Sequence, residues 1–468
     1  MIVNLFYLLP EIILIFYILT IILFVLTRYN IVFSKNFTLL IYLIILTLEI
    51  ITFLSIRNYV IFLFKKTIII NKYIILLKII FTLISYIITI LYYNRYYVNK
   101  YFKSKLILLL NILLISMLIT MSYNILTFYI HIEIFSILSY ILVFFDDKNI
   151  IKIKISLKYC LWGICCSAIM LYGLSYIYIL NGDFNLIYSN DHYNKLIYKL
   201  GIYMFISGLL FKIGIFPLHF WISEVYSKNN FKIILILSTL LKYTLIFAFY
   251  NLIKQFIVYN IIDDLLVGWN NFITIIALFT ISIGSINAII NKNIKNIISY
   301  ISIHQTGILL FCLLYRNNDI MNYNLLTYII VTYVVSNTHF IIILSRVYNY
   351  DSYHLLLNNH TIKYNIKIYI LLFIIFLNLI SVPPLPLGIS KIAIIYNIIY
   401  TYYQYTIYNS IILIIIFYNQ ILLVIIYLKI MKNIFFNKII FFHQKVYLID
   451  WILILITFML SIFINKII

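Results

Sequence analysis

Stretches of about 20 apolar residues recur along this 468-residue chain, and short connections rich in lysine and arginine separate them. A helix of that length crosses the hydrocarbon core of a bilayer and satisfies its own backbone hydrogen bonds. The pattern indicates an all-α polytopic membrane protein of about 14 transmembrane helices. The predicted spans are 3–27, 37–56, 74–93, 106–122, 125–145, 155–180, 200–223, 233–258, 268–290, 296–315, 323–345, 368–400, 407–431 and 447–465.

Composition agrees with a lipid environment, because 65% of the residues are hydrophobic and 10% are charged. Soluble domains contain roughly 45–50% apolar and about 25% charged residues. The net charge of +21 comes from basic residues in the connections, where they set membrane orientation, so we expect no nucleic-acid partner. Alternate connections, starting after the first helix, carry about 20 Lys and Arg against about 8 in the others, which predicts both termini on the outer side.

Two predicted spans contain helix-breaking prolines. The seventh is interrupted at Pro217, and the twelfth at Pro383, Pro384 and Pro386, followed by Gly388. Proline removes a backbone donor and clashes with the preceding turn, so each span should divide into two half-helices. Interrupted helices at matching positions indicate a repeat-built transporter with its site near the bilayer midplane, although two unrelated kinks would produce the same pattern.

Four ionisable residues lie deep within predicted spans: Glu133, Lys212, Lys242 and Lys391. A charge at that depth is expensive and usually marks a functional site. A lysine stem extends only about one helical turn toward the interface, so these groups should stay in the interior. We predict that they relay protons; static buried ion pairs are the alternative.

Lysine suits such a relay because burial favours its neutral form, whereas a nearby carboxylate favours the charged one. Glu133 and Lys212 are the first predicted pair, and they should titrate as a unit. His304 and His339 fall in the tenth and eleventh spans and are candidate bridges toward Lys391, although packing histidines are equally expected. Glu49 in the second span has no evident partner.

Redox cofactors are not expected in this chain. Its four cysteines lack the spacing of a metal or iron–sulfur site, and it contains no glycine-rich nucleotide-binding loop. Any electron transfer should therefore take place in other subunits.

Several segments resemble the antiporter-like subunits of respiratory complex I, a family shared with cation/proton antiporter subunits. The match covers essentially the whole chain, and its most specific part is the broken seventh helix. The matching segments are Leu9–Glu11, Glu133–Tyr140 in the fifth helix, Gly208–Tyr226 in the seventh, Leu237–Lys242 in the eighth, Asn293–Gly307 in the tenth and Ser381–Lys391 in the twelfth. Ile301 and His304 depart from the family pattern, which has small polar residues there.

The resemblance implies two inverted five-helix repeats, with broken helices 7 and 12. The implied domains are 1–104 (helices 1–3), 105–260 (first repeat, helices 4–8), 261–432 (second repeat, helices 9–13) and 433–468 (helix 14). It also implies the residue roles: Glu133 and Lys212 as the input pair, Lys242 as the central relay and Lys391 as the exit-side residue.

By the same resemblance, the chain would be a subunit of proton-translocating NADH:ubiquinone oxidoreductase in the mitochondrial inner membrane, with both termini in the intermembrane space. Its partners would be other membrane-arm subunits, including neighbouring antiporter-like subunits, and membrane lipids. NADH, flavin, iron–sulfur clusters and ubiquinone would be used by other subunits of the complex. The competing hypotheses are a cation/proton antiporter subunit and a purely structural membrane scaffold.

Overall fold

The structure is a computed structural model that describes residues 6–26, 35–56, 60–96, 102–145, 150–183, 195–258, 269–312, 319–347, 366–401 and 406–436, with a few positions between 453 and 460. These residues are almost entirely helical. The helices are α1 (Leu9–Leu26), α2 (Lys35–Ser55), α3 (Lys72–Tyr96), α4 (Phe102–Met121), α5 (Ile125–Phe144), α6 (Ile150–Asn181), α7 (Lys195–Ile213), α8 (Phe220–Lys228), α9 (Phe231–Ile236), α10 (Lys242–Val258), α11 (Trp269–Ile290), α12 (Ile294–Phe311), α13 (Asp319–Val347), α14 (Ile366–Ile380), α15 (Pro386–Thr401) and α16 (Thr406–Phe436).

The polytopic helical fold predicted from the sequence is confirmed. Within the described ranges, nine segments are long and apolar enough to cross a membrane, and three shorter helices are also apolar. Predicted spans from 3–27 to 407–431 coincide with described helices, whereas the last one, 447–465, lies largely outside the described residues. Large apolar side chains such as Phe16, Leu54 and Ile179 remain exposed on these helices, as expected where the surrounding solvent is lipid.

In the described part of the chain, the only sheet is a short hairpin between α2 and α3. Strands β1 (Ile61–Leu63) and β2 (Ile68–Ile70) pair antiparallel, with Ile61 opposite Ile70. The turn between them contains residues with positive φ, including Lys65 and Lys66. Thr67 accepts a backbone hydrogen bond from Tyr123 N at 3.0 Å, which attaches the hairpin to the turn before α5.

The seventh predicted span divides at its proline, as expected. Helix α7 ends at Ile213, and α8 begins at Phe220. Between them Gly214 has a φ of +81°, a conformation that residues with a Cβ rarely adopt. Pro217 lies within the break and cannot donate the backbone hydrogen bond that a continuous helix would need.

The twelfth span divides in the same way. Helix α14 ends at Ile380, and α15 begins at Pro386, a position where the missing N–H costs nothing. Asn378 Oδ1 accepts a hydrogen bond from Leu387 N at 3.3 Å, so this side chain joins the two half-helices across the break.

The chain forms two compact units. The first is Met1–Ile213 with Leu240–Val267 and contains α1 to α7 and α10; the second is Gly214–Thr239 with Gly268–Ile468 and contains α8, α9 and α11 to α16. The predicted domain boundaries at 105, 261 and 433, and the inverted symmetry of the repeats, remain predictions.

In the first unit, α6 and α7 approach each other through glycines. A Cβ on Gly173 would lie 2.6 Å from the carbonyl oxygen of Gly201, and one on Gly201 would lie 2.9 Å from that of Gly173. Farther along, a Cβ on Gly208 would lie 2.8 Å from the carbonyl oxygen of Cys166. Small residues allow this backbone contact between membrane helices, which is stabilised by van der Waals packing.

In the second unit, polar side chains join the helices. Gln305 and Asn337 exchange two amide hydrogen bonds, of 3.1 and 2.7 Å, between α12 and α13. Ser285 donates to Asn419 Oδ1 at 2.6 Å, which links α11 to α16. Buried polar groups in a membrane protein need such partners, because no water is present to replace them.

Candidate functional site

Glu133 on α5 and Lys212 on α7 form an ion pair within the first unit. Lys212 Nζ donates to Glu133 Oε1; the lysine side chain is 5% exposed and the glutamate side chain 23%. Lys212 occupies the last turn of α7, where unpaired carbonyl groups favour a cation. Because α7 ends at Ile213, the ammonium group of Lys212 lies at the C-terminal end of a helix, and the carboxylate of Glu133 on α5 supplies the opposite charge.

A cavity of about 10 Å³ lies beside this ion pair. That volume is about enough for one water molecule, provided that polar partners are present. Its walls are formed by Ile132, Phe135, Ser136, Tyr140, Tyr159, Phe211, Lys212, Leu241 and Leu245.

The polar part of the cavity wall is held by contacts between α5 and α6. Ser139 and Tyr159 share a hydrogen bond of 3.2 Å between their hydroxyl groups, and the Tyr159 ring packs edge to face against Tyr140 at 4.6 Å. Gly163 lies directly behind Tyr140, and a Cβ there would overlap the tyrosine ring. The hydroxyl groups and the ammonium group together make this small cavity suitable for a polar guest.

Lys242 lies in the same unit, at the start of α10, and is 1% exposed. A π-helical turn, Leu237–Leu241, comes directly before it. Such turns are rare and occur frequently at functional sites. Leu241 in this turn and Leu245 on α10 line the cavity described above, so Lys242 lies in the sequence between two residues of the cavity wall.

In the second unit, Lys391 on α15 donates to Gln420 Oε1 on α16 at 2.7 Å. His304 on α12 is completely buried and close enough to Lys391 for an electrostatic interaction. Neither ring nitrogen of His304 has a hydrogen-bond partner among the described residues. His339 on α13 is 2% exposed.

The structure thus places Glu133 with Lys212 and Lys242 in one unit, and Lys391 with His304 and His339 in the other. The relay roles of these six residues remain predictions. Sequence reasoning missed Gln420, Gln305 and Asn337, although an uncharged amide within a predicted span is a weak signal that could have drawn attention to each. Gln305 follows His304 directly, and its bond to Asn337 fixes α12 against α13 next to that histidine.

Comparison with known proteins identifies a family and a fold. Residues 122–417 match the model of the family described as NADH:quinone oxidoreductase/Mrp antiporter, TM. NADH-quinone oxidoreductase subunit N of Herminiimonas arsenicoxydans is 31% identical over 196 residues, which are 41% of this chain and 39% of that protein. The curated relatives are therefore matched over about two fifths of their length.

Two solved structures share the fold. A chain of respiratory complex I from Thermus thermophilus, solved with bound aureothin, has a TM-score of 0.76 and 16% identity, and the match covers 97% of this chain and 96% of that one. A chain of the membrane-bound sulfane sulfur reductase, an archaeal respiratory membrane complex, has a TM-score of 0.81 and 16% identity, over 99% and 95% of the two chains. At this level of identity, the likeness establishes the fold.

Proposed function

This chain belongs to the NADH:quinone oxidoreductase/Mrp antiporter transmembrane family, and from that premise we propose that it is a proton-translocating subunit of the membrane arm of respiratory complex I. At the finer level, we propose subunit 2 of the mitochondrial NADH:ubiquinone oxidoreductase. The chain would span the mitochondrial inner membrane, with both termini in the intermembrane space. Partner subunits would hold the flavin and iron–sulfur clusters and reduce ubiquinone, and neighbouring antiporter-like subunits would contact this chain.

One observation carries the proposal: a partly buried ion pair between Glu133 and Lys212 lies beside a cavity that is large enough for about one water molecule. While the carboxylate is near, Lys212 keeps its proton. When the carboxylate withdraws, the buried ammonium loses its counter-charge, and releasing the proton becomes favourable. A polar molecule in the adjacent cavity could accept that proton.

The later steps of the proposed relay use the other deep residues. Lys242 would receive the proton in the first unit, and Lys391 would release it in the second, with His304 and His339 as bridges. Electron transfer in partner subunits would drive the cycle by displacing a neighbour of Glu133. Gln420 would hold the Lys391 ammonium in place between turnovers.

The test uses Glu133→Ala and Lys212→Ala in the intact complex, reconstituted into vesicles. We expect both variants to assemble and to eject protons far more slowly than the wild type during NADH oxidation. Lys154→Ala is the matched control, because Lys154 is an exposed lysine on α6. Normal proton ejection by either variant at Glu133 or Lys212 would refute the relay assignment.

The second candidate is a cation/proton antiporter subunit, which the family description also includes. Purification from native membranes distinguishes the two. Flavin and iron–sulfur subunits that copurify with the chain would support complex I, whereas proton flux driven by a cation gradient in their absence would support the antiporter. A purely structural scaffold would instead be indicated if lysine-to-methionine variants kept full pumping.

A further inference from the structure

Three buried ionisable side chains lie together in the first three helices, outside the proposed relay. Glu11 on α1, Glu49 on α2 and Lys78 on α3 are 3%, 0% and 2% exposed. Glu11 Oε1 lies 2.5 Å from Lys78 Nζ, which makes them an ion pair. Glu49 interacts electrostatically with both. We call these three residues the N-terminal cluster.

Glu49 on α2 contacts Thr82 on α3, and the hydrogen of this contact can belong to either the hydroxyl group or the carboxyl group. Thr82 Oγ1 lies 2.9 Å from Glu49 Oε2 and 2.8 Å from the backbone carbonyl oxygen of Ile79. A hydroxyl group has one hydrogen to donate. If the Thr82 hydroxyl donates to Ile79, as threonines in helices commonly do, the contact with Glu49 requires a proton on the carboxyl group, which then donates to Thr82.

The charges of the cluster lead to the same assignment. With both carboxyl groups ionised and Lys78 protonated, the cluster would carry a net charge of −1 on side chains that are at most 3% exposed, and an unbalanced buried charge is expensive. One proton on Glu49 makes it neutral and leaves the Glu11–Lys78 pair intact. Glu49 is the carboxyl group of the two that has no cation in direct contact within the described residues.

The other ionisable groups on the packed helices do not change this balance. The remaining basic residues whose side chains are described lie in the first turn of their helices, and none of them is among the electrostatic partners of Glu49: Lys72 on α3, and Lys103 and Lys105 on α4. The tyrosines among the described side chains are neutral near pH 7. They are Tyr17 on α1, Tyr42 on α2, and Tyr73, Tyr86, Tyr92 and Tyr93 on α3.

We propose that Glu11, Glu49 and Lys78 form a second proton-binding site, in which Glu49 holds one exchangeable proton and the Glu11–Lys78 ion pair balances the remaining charge. The site lies on α1 to α3, whereas the Glu133–Lys212 pair lies on α5 and α7. The binding of a proton to Glu49 does not depend on the pumping role proposed above.

The test is infrared spectroscopy of the purified membrane complex in lipid, recorded in H₂O and in D₂O. An exchangeable carboxylic acid produces a C=O stretching band that shifts in D₂O. We expect Glu49→Gln to lose such a band, while the amide keeps the contact with Thr82. Asp183→Asn, at an exposed carboxylate beyond α6, is the matched control and should keep the band.

A second variant keeps the proposal falsifiable if Glu49→Gln does not assemble. In Lys78→Met, Glu11 loses its cation and should take up a proton, so the band intensity should about double. In the double variant Glu11→Gln/Lys78→Met, the intensity should return to the wild-type level. A spectrum of Glu49→Gln that retains every exchangeable carboxylic-acid band, or a Lys78→Met band of unchanged intensity, would overturn the proposal. The proposed pumping function is tested separately, because normal proton ejection by the Lys212→Ala variant would refute it.

Discussion

The ion pair between Glu133 and Lys212 allows a prediction with a calculated magnitude. A pair of unit charges in contact at an effective dielectric constant of about 20 interacts by about 4 kcal/mol. Lys212→Met leaves the carboxylate without its cation, and Glu133→Gln leaves the ammonium without its anion. Because the glutamate side chain is 23% exposed and partly screened, we expect each single variant to lower the free energy of unfolding by about 3 kcal/mol.

The double variant E133Q/K212M separates the structural role of the pair from its proposed role in proton transfer. Removing both charges leaves neither one buried alone, so the total loss should be about 2 kcal/mol and the coupling energy about 4 kcal/mol. Proton pumping, in contrast, needs a group that binds and releases protons, and should be absent in all three variants. If the pair were only a static structural ion pair, stability and pumping should recover together in the double variant.

The assay is a titration of each purified variant with denaturing detergent, followed by circular dichroism, together with proton ejection from vesicles containing the intact complex. K154M on α6 provides the reference for loss of an exposed lysine. Additive losses of stability in the double variant would refute the assignment of an energetically coupled pair. Recovery of pumping in the double variant would refute the relay.

Three further predictions concern other residues. Gly163→Ala places a methyl group against the Tyr140 ring and should lower the free energy of unfolding by about 1–3 kcal/mol in the same titration; an unchanged midpoint would show that the ring moves aside freely. Lys391→Met leaves Gln420 Oε1 without its donor, so it should lower the free energy of unfolding by about 1–3 kcal/mol and abolish proton pumping in vesicles. Gln420→Leu should keep part of the pumping. Lys242→Met, at a fully buried position, should allow assembly, verified by native electrophoresis, and reduce proton ejection to background; ejection at the wild-type rate would remove Lys242 from the relay.

Much of the fold could be predicted from the sequence because the signals are local. Length and hydropathy determine whether a segment can span a bilayer, and the prolines at Pro217 and Pro384 act on the backbone next to them. The deep position of Lys212 also follows from counting residues along its own span. Predictions of this kind need no knowledge of which helices are neighbours.

The partners of buried groups could not be predicted in the same way, because they lie on other helices. Glu49 had no evident partner in the sequence, and the structure places Thr82, 33 residues away, against it. Lys78 lies near the start of its predicted span, where a lysine is ordinarily expected to reach the surface; its burial follows from the position of Glu11 on another helix. The π-helical turn before Lys242 depends on packing and has no clear local signal.

The glycine contacts between α6 and α7 restrict how the ion pair can open. The backbones at Gly173 and Gly201 already touch, so the helix that carries Lys212 has no space in which to slide or tilt toward α6. On the other side, α5 meets α6 through the ring of Tyr140, a side chain that can rotate without displacing the backbone. Separation of the charges should therefore come from movement of α5 or from rotation of the Glu133 and Lys212 side chains, and not from an approach of α7 to α6.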